Sequence, residues 1–134
     1  MPSAMHLHPK PADVLICDFD RGGFVPPEMV KRRPVIVISR ADTHGRGLCT
    51  VVPLSTTAPF PVHPWHYPMP HLALRGWQAK AMIWAKADML CTVAFDRLDR
   101  PHFKTRHGRT YQSIKVSDLD MATIRAGIRA YLEL

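Results

Sequence analysis

Thirteen prolines in 134 residues, against seven glycines, constrain this chain more than any other feature. Proline fixes φ and carries no amide donor, so it is confined to strand starts, edges and loops and breaks helix interiors. Long helices are therefore excluded over most of the chain, and short strands joined by stiff loops are expected. The densest cluster, Ala58 to Pro70 (APFPVHPWHYPMP), holds five prolines. It must run extended, as a polyproline-like segment or as an edge strand that cannot pair fully.

Between the prolines lie apolar runs too short for helices. Val14 to Phe19 (VLICDF) is β-branched and aromatic and reads as a first strand. Pro34 to Ser39 (PVIVIS) is uninterrupted and apolar, so both of its faces must be covered and it belongs in the centre of a sheet. Leu48 to Leu54 reads as a third strand ending in Ser55-Thr56-Thr57, and Lys80 to Trp84 and Thr92 to Phe95 as further short ones. Residues 20 to 33 carry turn residues and a basic end, and are expected to form a long, mobile loop of the kind that holds function. One convincing helix begins near Ser117, an N-cap candidate with Asp118 and Asp120 in the first turn. Its apolar stripe is Met121, Ile124, Ile128, Tyr131 and Leu132, with Arg125 and Arg129 opposite. The expectation is a small, mainly antiparallel sheet closed by a carboxyl-terminal helix, in one domain spanning 1 to 134 with residues 1 to 10 as a flexible arm.

The formal charge is +7, which favours an anionic partner such as nucleic acid. The excess is local. Residues 21 to 46 sum to +4 and residues 97 to 115 to +5, while the helix end is slightly acidic, so loops and strand ends must meet any nucleic acid. Cys17, Cys49 and Cys91 are odd in number and widely spaced. They read as buried thiols of a protein made in a reducing compartment, with no zinc-ligand spacing. The sequence has no secretory h-region and no apolar run long enough to span a bilayer, so a cytoplasmic protein without membrane contact is expected.

If the strands holding Pro34 and Leu54 are antiparallel neighbours, the start of one lies beside the end of the other, which brings Arg33 to Ser55. A guanidinium offers a fork of donors to phosphate oxygens and a hydroxyl adds one more. The residues alone leave open whether Arg33 and Ser55 are such a clamp or a solvated strand end and a turn residue. The order of Asp13-Val14-Leu15-Ile16-Cys17-Asp18-Phe19, Arg33-Pro34-Val35-Ile36-Val37-Ile38-Ser39 and Val51-Val52-Pro53-Leu54-Ser55 resembles the PemK/MazF family of type II toxin–antitoxin ribonucleases. Ala87 to Phe95 resembles a later strand of that family, and the similarity covers about residues 11 to 133.

The resemblance implies a small SH3-like barrel, also used by the CcdB gyrase poisons, and a homodimer that cleaves single-stranded RNA with no metal or other cofactor. It implies a partner antitoxin with an acidic tail, and DNA binding as the toxin–antitoxin complex. Arg33 takes the place of the family's catalytic arginine and Ser55 that of its catalytic threonine. The reaction implied is attack by the ribose 2′-hydroxyl, giving a 2′,3′-cyclic phosphate. Three departures stand out: Pro11-Ala12 in place of a glycine before Asp13, serine for threonine at Ser55, and Met89 where many members carry glutamine.

Arginine is a poor base because it stays protonated, so a general base is still needed, and His66 or His63 is the candidate. RNA contacts are expected from Lys31, Arg32, Arg40, Thr56, Thr57, Trp65, Lys86 and Asp88. The run Arg100 to Arg109 interleaves Phe103 with positive charge and reads either as a phosphate-binding loop or as a solvated one. Trp77 and Trp84 are assigned to the core or a dimer contact. The competing functions are a protein-binding poison and a non-catalytic RNA-binding module. A protein-binding poison does not need a phosphate clamp.

Overall fold

The computed structural model describes residues 7–20, 23–70, 72 and 82–134. Among these residues nine strands and one α-helix follow in chain order: β1 (Val14–Asp18), β2 (Arg32–Val37), β3 (Leu48–Ser55), β4 (His66–Pro68), β5 (Trp84–Lys86), β6 (Cys91–Ala94), β7 (Leu98–Asp99), β8 (His102–Thr105), β9 (Gly108–Tyr111) and α1 (Asp118–Leu132). The main sheet runs β4-β5-β3-β2-β1-β7, with β6 also on β3, and every pairing is antiparallel. Among the described residues β4 and β7 do not pair, so the path is left open where a barrel would close.

The apolar run of β2 is central, as its composition demands. It lies between β1 and β3, and Val35, Ile36 and Val37 are fully buried. Alternation along the strands sends their side chains into two cores. Leu15, Cys17, Val35, Val37, Cys49 and Val51 point to one face, and Val14, Ile36, Val52 and Leu54 to the other. The second face is roofed by α1, whose Met121 and Ile124 are buried there. Burying each such side chain contributes about 1.5–3 kcal/mol. The helix starts where expected: the Ser117 hydroxyl accepts from the Asp120 amide at 3.0 Å.

Several elements depart from the sequence expectation. Tyr131 and Leu132 are 41% and 46% exposed, so the apolar stripe of α1 leaves the core before its last turn. Residues 1–6 lie outside the description, but residues 7–10 are no free arm. Leu7 is buried in the first core, and the Pro9 carbonyl meets Nδ1 of the buried His44 at 3.1 Å. Nδ1 must donate there, so Nε2 accepts from the Ser39 hydroxyl at 2.6 Å. The loop before β2 is tied down as well. Phe24 packs edge-on against Phe19, Met29 is buried, and Asp20 accepts the Lys31 amide at 3.0 Å. In the expected strand from Lys80 to Trp84, residues 80 and 81 lie outside the description; the observed strand begins at Trp84 and continues to Lys86. Trp77 lies outside the description too, and Trp84 is half-buried opposite Ser55. The run from Arg100 contains the β8–β9 hairpin, which polar residues without alternation had not signalled.

Burial pushes the Cys17 thiol up to about 12 and the Cys49 thiol up to about 11. Both are neutral core side chains at physiological pH.

Candidate functional site

The site lies where the β2–β3 ladder stops. Its last paired residues are Val35 and Pro53, and the same register carried two residues further sets Arg33 across from Ser55. The reason is local. Ile38 donates to the Thr50 carbonyl at 3.0 Å, so the even-numbered amides of β2 face β3. Pro34 is even-numbered and has no amide to give. On the other edge of β3 the missing amide of Pro53 falls where β3 changes partner, from β6 at Val51 to β5 at Leu54. Pro34 thus ends the β2–β3 ladder and leaves an opening.

Into that opening projects a cleft of about 440 Å3, lined among others by Glu28, Arg33, Ser55, Thr57, Phe60, His63, His66, Lys86, Asp88 and Met89. The Arg33 Nε donates to the Val30 carbonyl at 2.6 Å. Its terminal nitrogens have no protein acceptor among the described residues, so the fork is braced at its root and open at its tip. Burial draws the Arg33 pKa below its usual value, with Asp20 opposing. The Ser55 side chain is nearly inaccessible, and its Oγ accepts the Thr57 amide at 3.1 Å. That bond leaves the hydroxyl proton to be donated. It also fixes the rotamer that the missing threonine methyl would otherwise restrain.

The far wall is built by β4 and β5, which pair His66 with Lys86. His66 is held at one ring nitrogen and faces a carboxylate with the other. Nδ1 accepts the His63 amide at 3.0 Å, and Nε2 lies 3.5 Å from Oδ1 of Asp88. The neutral ring therefore carries its proton on Nε2 and has no free lone pair. Acting as the expected base, His66 would take a proton at Nδ1 and lose the His63 amide bond. Asp88 Oδ1 is buried with no hydrogen-bond partner among the described residues. Burial also lowers the Lys86 pKa, with Arg33 adding to the effect and Asp88 opposing it.

The turn bearing the two histidines is clamped from behind. The His63 ring stacks on Trp65 (centroids 4.6 Å, interplanar angle 14°), and Trp65 packs against Tyr131 of α1 at 5.5 Å. Gly127 makes this approach possible, since a Cβ there would stand 3.2 Å from Trp65 Cα and 3.5 Å from the Pro64 carbonyl oxygen. The Tyr67 hydroxyl donates to Asp120 at 2.7 Å, a second tie from β4 to the helix.

Of the residues expected at the site, Arg33, Ser55, Thr57, His63, His66, Lys86 and Asp88 come together in the cleft. Lys31, Arg32 and Thr56 flank it without lining it. Arg40 does not reach the cleft: it lies beyond the opposite end of β2 and is bonded to Asp42 at 2.7 Å. Trp65 is a buttress behind His63 rather than part of the lining. Glu28 and Phe60 line the cleft without having been singled out. The only trace of Phe60 in the sequence was its place between two prolines, Pro59 and Pro61. Among the described residues no three His, Cys, Asp or Glu side chains are grouped as metal ligands, and no described helix is long and apolar enough to cross a membrane.

Comparison with known proteins points one way. The chain is 29% identical to the uncharacterized protein YifN of Escherichia coli (strain K12), over 92% of this chain and 94% of that one. In fold it is similar to MazF of Deinococcus radiodurans, with a TM-score of 0.65 at 19% identity, covering 96% of this chain and 99% of that chain. It is also similar to an endoribonuclease from a mycobacterial species solved with its cognate antitoxin, with a TM-score of 0.60 at 19% identity, covering 94% and 96% of the two chains. The sequence profile of PemK-like, MazF-like toxins of type II toxin–antitoxin systems matches residues 10–132, and the chain belongs to that family.

Proposed function

We propose that this chain is the toxin of a type II pair and a metal-independent endoribonuclease acting on single-stranded RNA. The observation that carries the reading is the braced Arg33 fork facing the Ser55 hydroxyl across an unladdered strand end. Those donors fit a phosphodiester whose negative charge grows as it becomes pentacoordinate. The 2′-oxygen attacks phosphorus and the bond to the 5′-oxygen breaks. Asp88, whose buried Oδ1 faces His66 Nε2 at 3.5 Å, takes the 2′-hydroxyl proton. Lys86, whose burial makes its ammonium the readier donor, protonates the departing 5′-oxygen. The products are a 2′,3′-cyclic phosphate and a 5′-hydroxyl.

As partners we propose a second copy of the chain and an antitoxin whose acidic tail covers the basic cleft. The mycobacterial neighbour solved with its cognate antitoxin supports the latter. The test is cleavage of a defined RNA in chelator with the product ends mapped. Arg33→Ala and Ser55→Ala are each expected to lose about 100-fold to 1,000-fold in rate. Asp88→Asn should lose about as much, and His66→Ala should lose less while shifting the pH profile. Absence of cleavage at every RNA sequence, or a full rate in Arg33→Ala, sinks the proposal and leaves the protein-binding poison as the alternative.

A further inference from the structure

The β8–β9 hairpin stands apart from the main sheet, pairing within itself. Its register sets Lys104 directly opposite Arg109, both exposed. Like charges directly opposite on a two-stranded ribbon destabilise it, and neither has a carboxylate partner among the described residues. By alternation His102, Lys104, Arg109 and Tyr111 share this face. A third cation joins them, because the Arg100 guanidinium sits 4.5 Å from the centre of the Tyr111 ring and is held there by cation–π attraction. Arg106 at the turn supplies a fourth. The adjacent acid Asp99 is 4% exposed and already engaged: it accepts the Arg100 amide at 2.8 Å and faces His102 at 3.9 Å.

A repulsive pair kept on an exposed ribbon, with a positioned arginine at one end and another at the tip, is relieved by a polyanion laid along it. The hairpin's base, where Gln112 donates to the Pro101 carbonyl at 2.7 Å, lies beside the amino-terminal end of β1, whose Val14 donates to the Ile114 carbonyl. Arg33 pairs with Cys17, near the other end of β1. Three residues of strand, roughly 10 Å, separate the two points, and the hairpin extends beyond. We propose that this face is a second nucleic-acid contact, gripping the phosphate backbone of single-stranded RNA that runs out of the cleft. The proposal rests on the reading of the cleft ligand as RNA. Arginine forks at three of the four cationic positions suit phosphate oxygens.

The experiment compares wild type with Lys104→Gln/Arg109→Gln on a short RNA that fills the cleft and on one several times longer, across a range of salt. The charge-conserving variant Lys104→Arg/Arg109→Lys and a thermal melt control for folding. Two lost phosphate contacts should make the plot of log affinity against log salt shallower by about 1.4 for the long RNA, at about 0.7 per contact. Long-RNA affinity should fall at least several-fold at low salt, cleavage of the short RNA should be unchanged, and the charge-conserving variant should match wild type. An unchanged salt slope for long RNA overturns the proposal. So does a loss of binding confined to a polyglutamate probe, which would make the hairpin a contact for acidic protein. If Arg33→Ala leaves cleavage intact while the hairpin variant still weakens RNA binding, the cleft reading fails and the hairpin site stands.

Discussion

Replacing Gly127 by alanine tests whether the helix sets the position of the site. The added Cβ would lie 3.2 Å from Trp65 Cα, 3.5 Å from the Pro64 carbonyl oxygen and 3.7 Å from the Trp65 carbonyl carbon. All three are backbone atoms, so no side-chain rotation relieves the contact; the 64–65 segment or the helix must retreat by roughly 0.4 Å to reach ordinary carbon–carbon separation. Two terms oppose. Alanine gains about 1 kcal/mol in helix propensity over glycine, and overpacking against a fixed neighbour costs about 1–3 kcal/mol. The net is a loss of about 0–2 kcal/mol, or up to roughly 8 °C in Tm for a domain of this size. The segment cannot move alone, because the Trp65 carbonyl accepts the Ala87 amide at 3.1 Å and the His63 carbonyl accepts the His66 amide at 2.9 Å. A retreat of Trp65 therefore drags the His66–Asp88 pair. A misplacement of about 1 Å at a reacting group costs about 100-fold, so a shift near half that is expected to cost about 10-fold in cleavage rate. The measurement is Tm by calorimetry beside single-turnover cleavage. A higher Tm with an unchanged rate would refute the reasoning, since it would show that the turn yields freely and that the helix does not fix the site.

The other predictions follow from the cores and from the far end of β2. Because the Cys17 and Cys49 thiols are pushed up to about 12 and about 11 in the folded state, against an ordinary value of 9.0, the unfolded chain loses these protons first as pH rises. Stability is therefore complete below about pH 9 and falls above it, at up to about 1.4 kcal/mol per pH unit for each thiol; urea unfolding between pH 8 and 10 should show the decline, and Cys17→Ala should make it shallower. Arg40→Ala removes an exposed ion pair remote from the cleft, so cleavage should stay at the wild-type rate and stability should change by less than about 0.5 kcal/mol. A rate loss in that variant would mean the RNA path reaches the opposite end of β2.

What the sequence disclosed, and what it hid, divides by the physics involved. β1, β2 and β3 were legible because an apolar run interrupted by proline and glycine has few places to go except a doubly covered sheet. The helix was legible from one capping serine and a stripe that holds as far as Ile128. The approach of Arg33 to Ser55 followed from antiparallel pairing alone. Arg40 falls outside the cleft because a strand sends its two ends to opposite sides of the molecule. The packing of Leu7 and the settling of Phe24 and Met29 depend on a core surface that exists only once the sheet has formed. The β8–β9 hairpin has no apolar face to announce it. The commitment of His66 Nδ1 depends on a turn three residues long, below the reach of any periodicity.

The opening between β2 and β3 is a seam left unsewn. Its width is set by which backbone positions can offer a hydrogen, so a change at Pro34 acts on the cleft without touching any group that meets the ligand. Any residue there with an amide of its own hands the two strands one more stitch, drawing Arg33 toward Ser55 and tightening the sheet as the mouth narrows. Stability and access are thereby set against each other at a single backbone nitrogen.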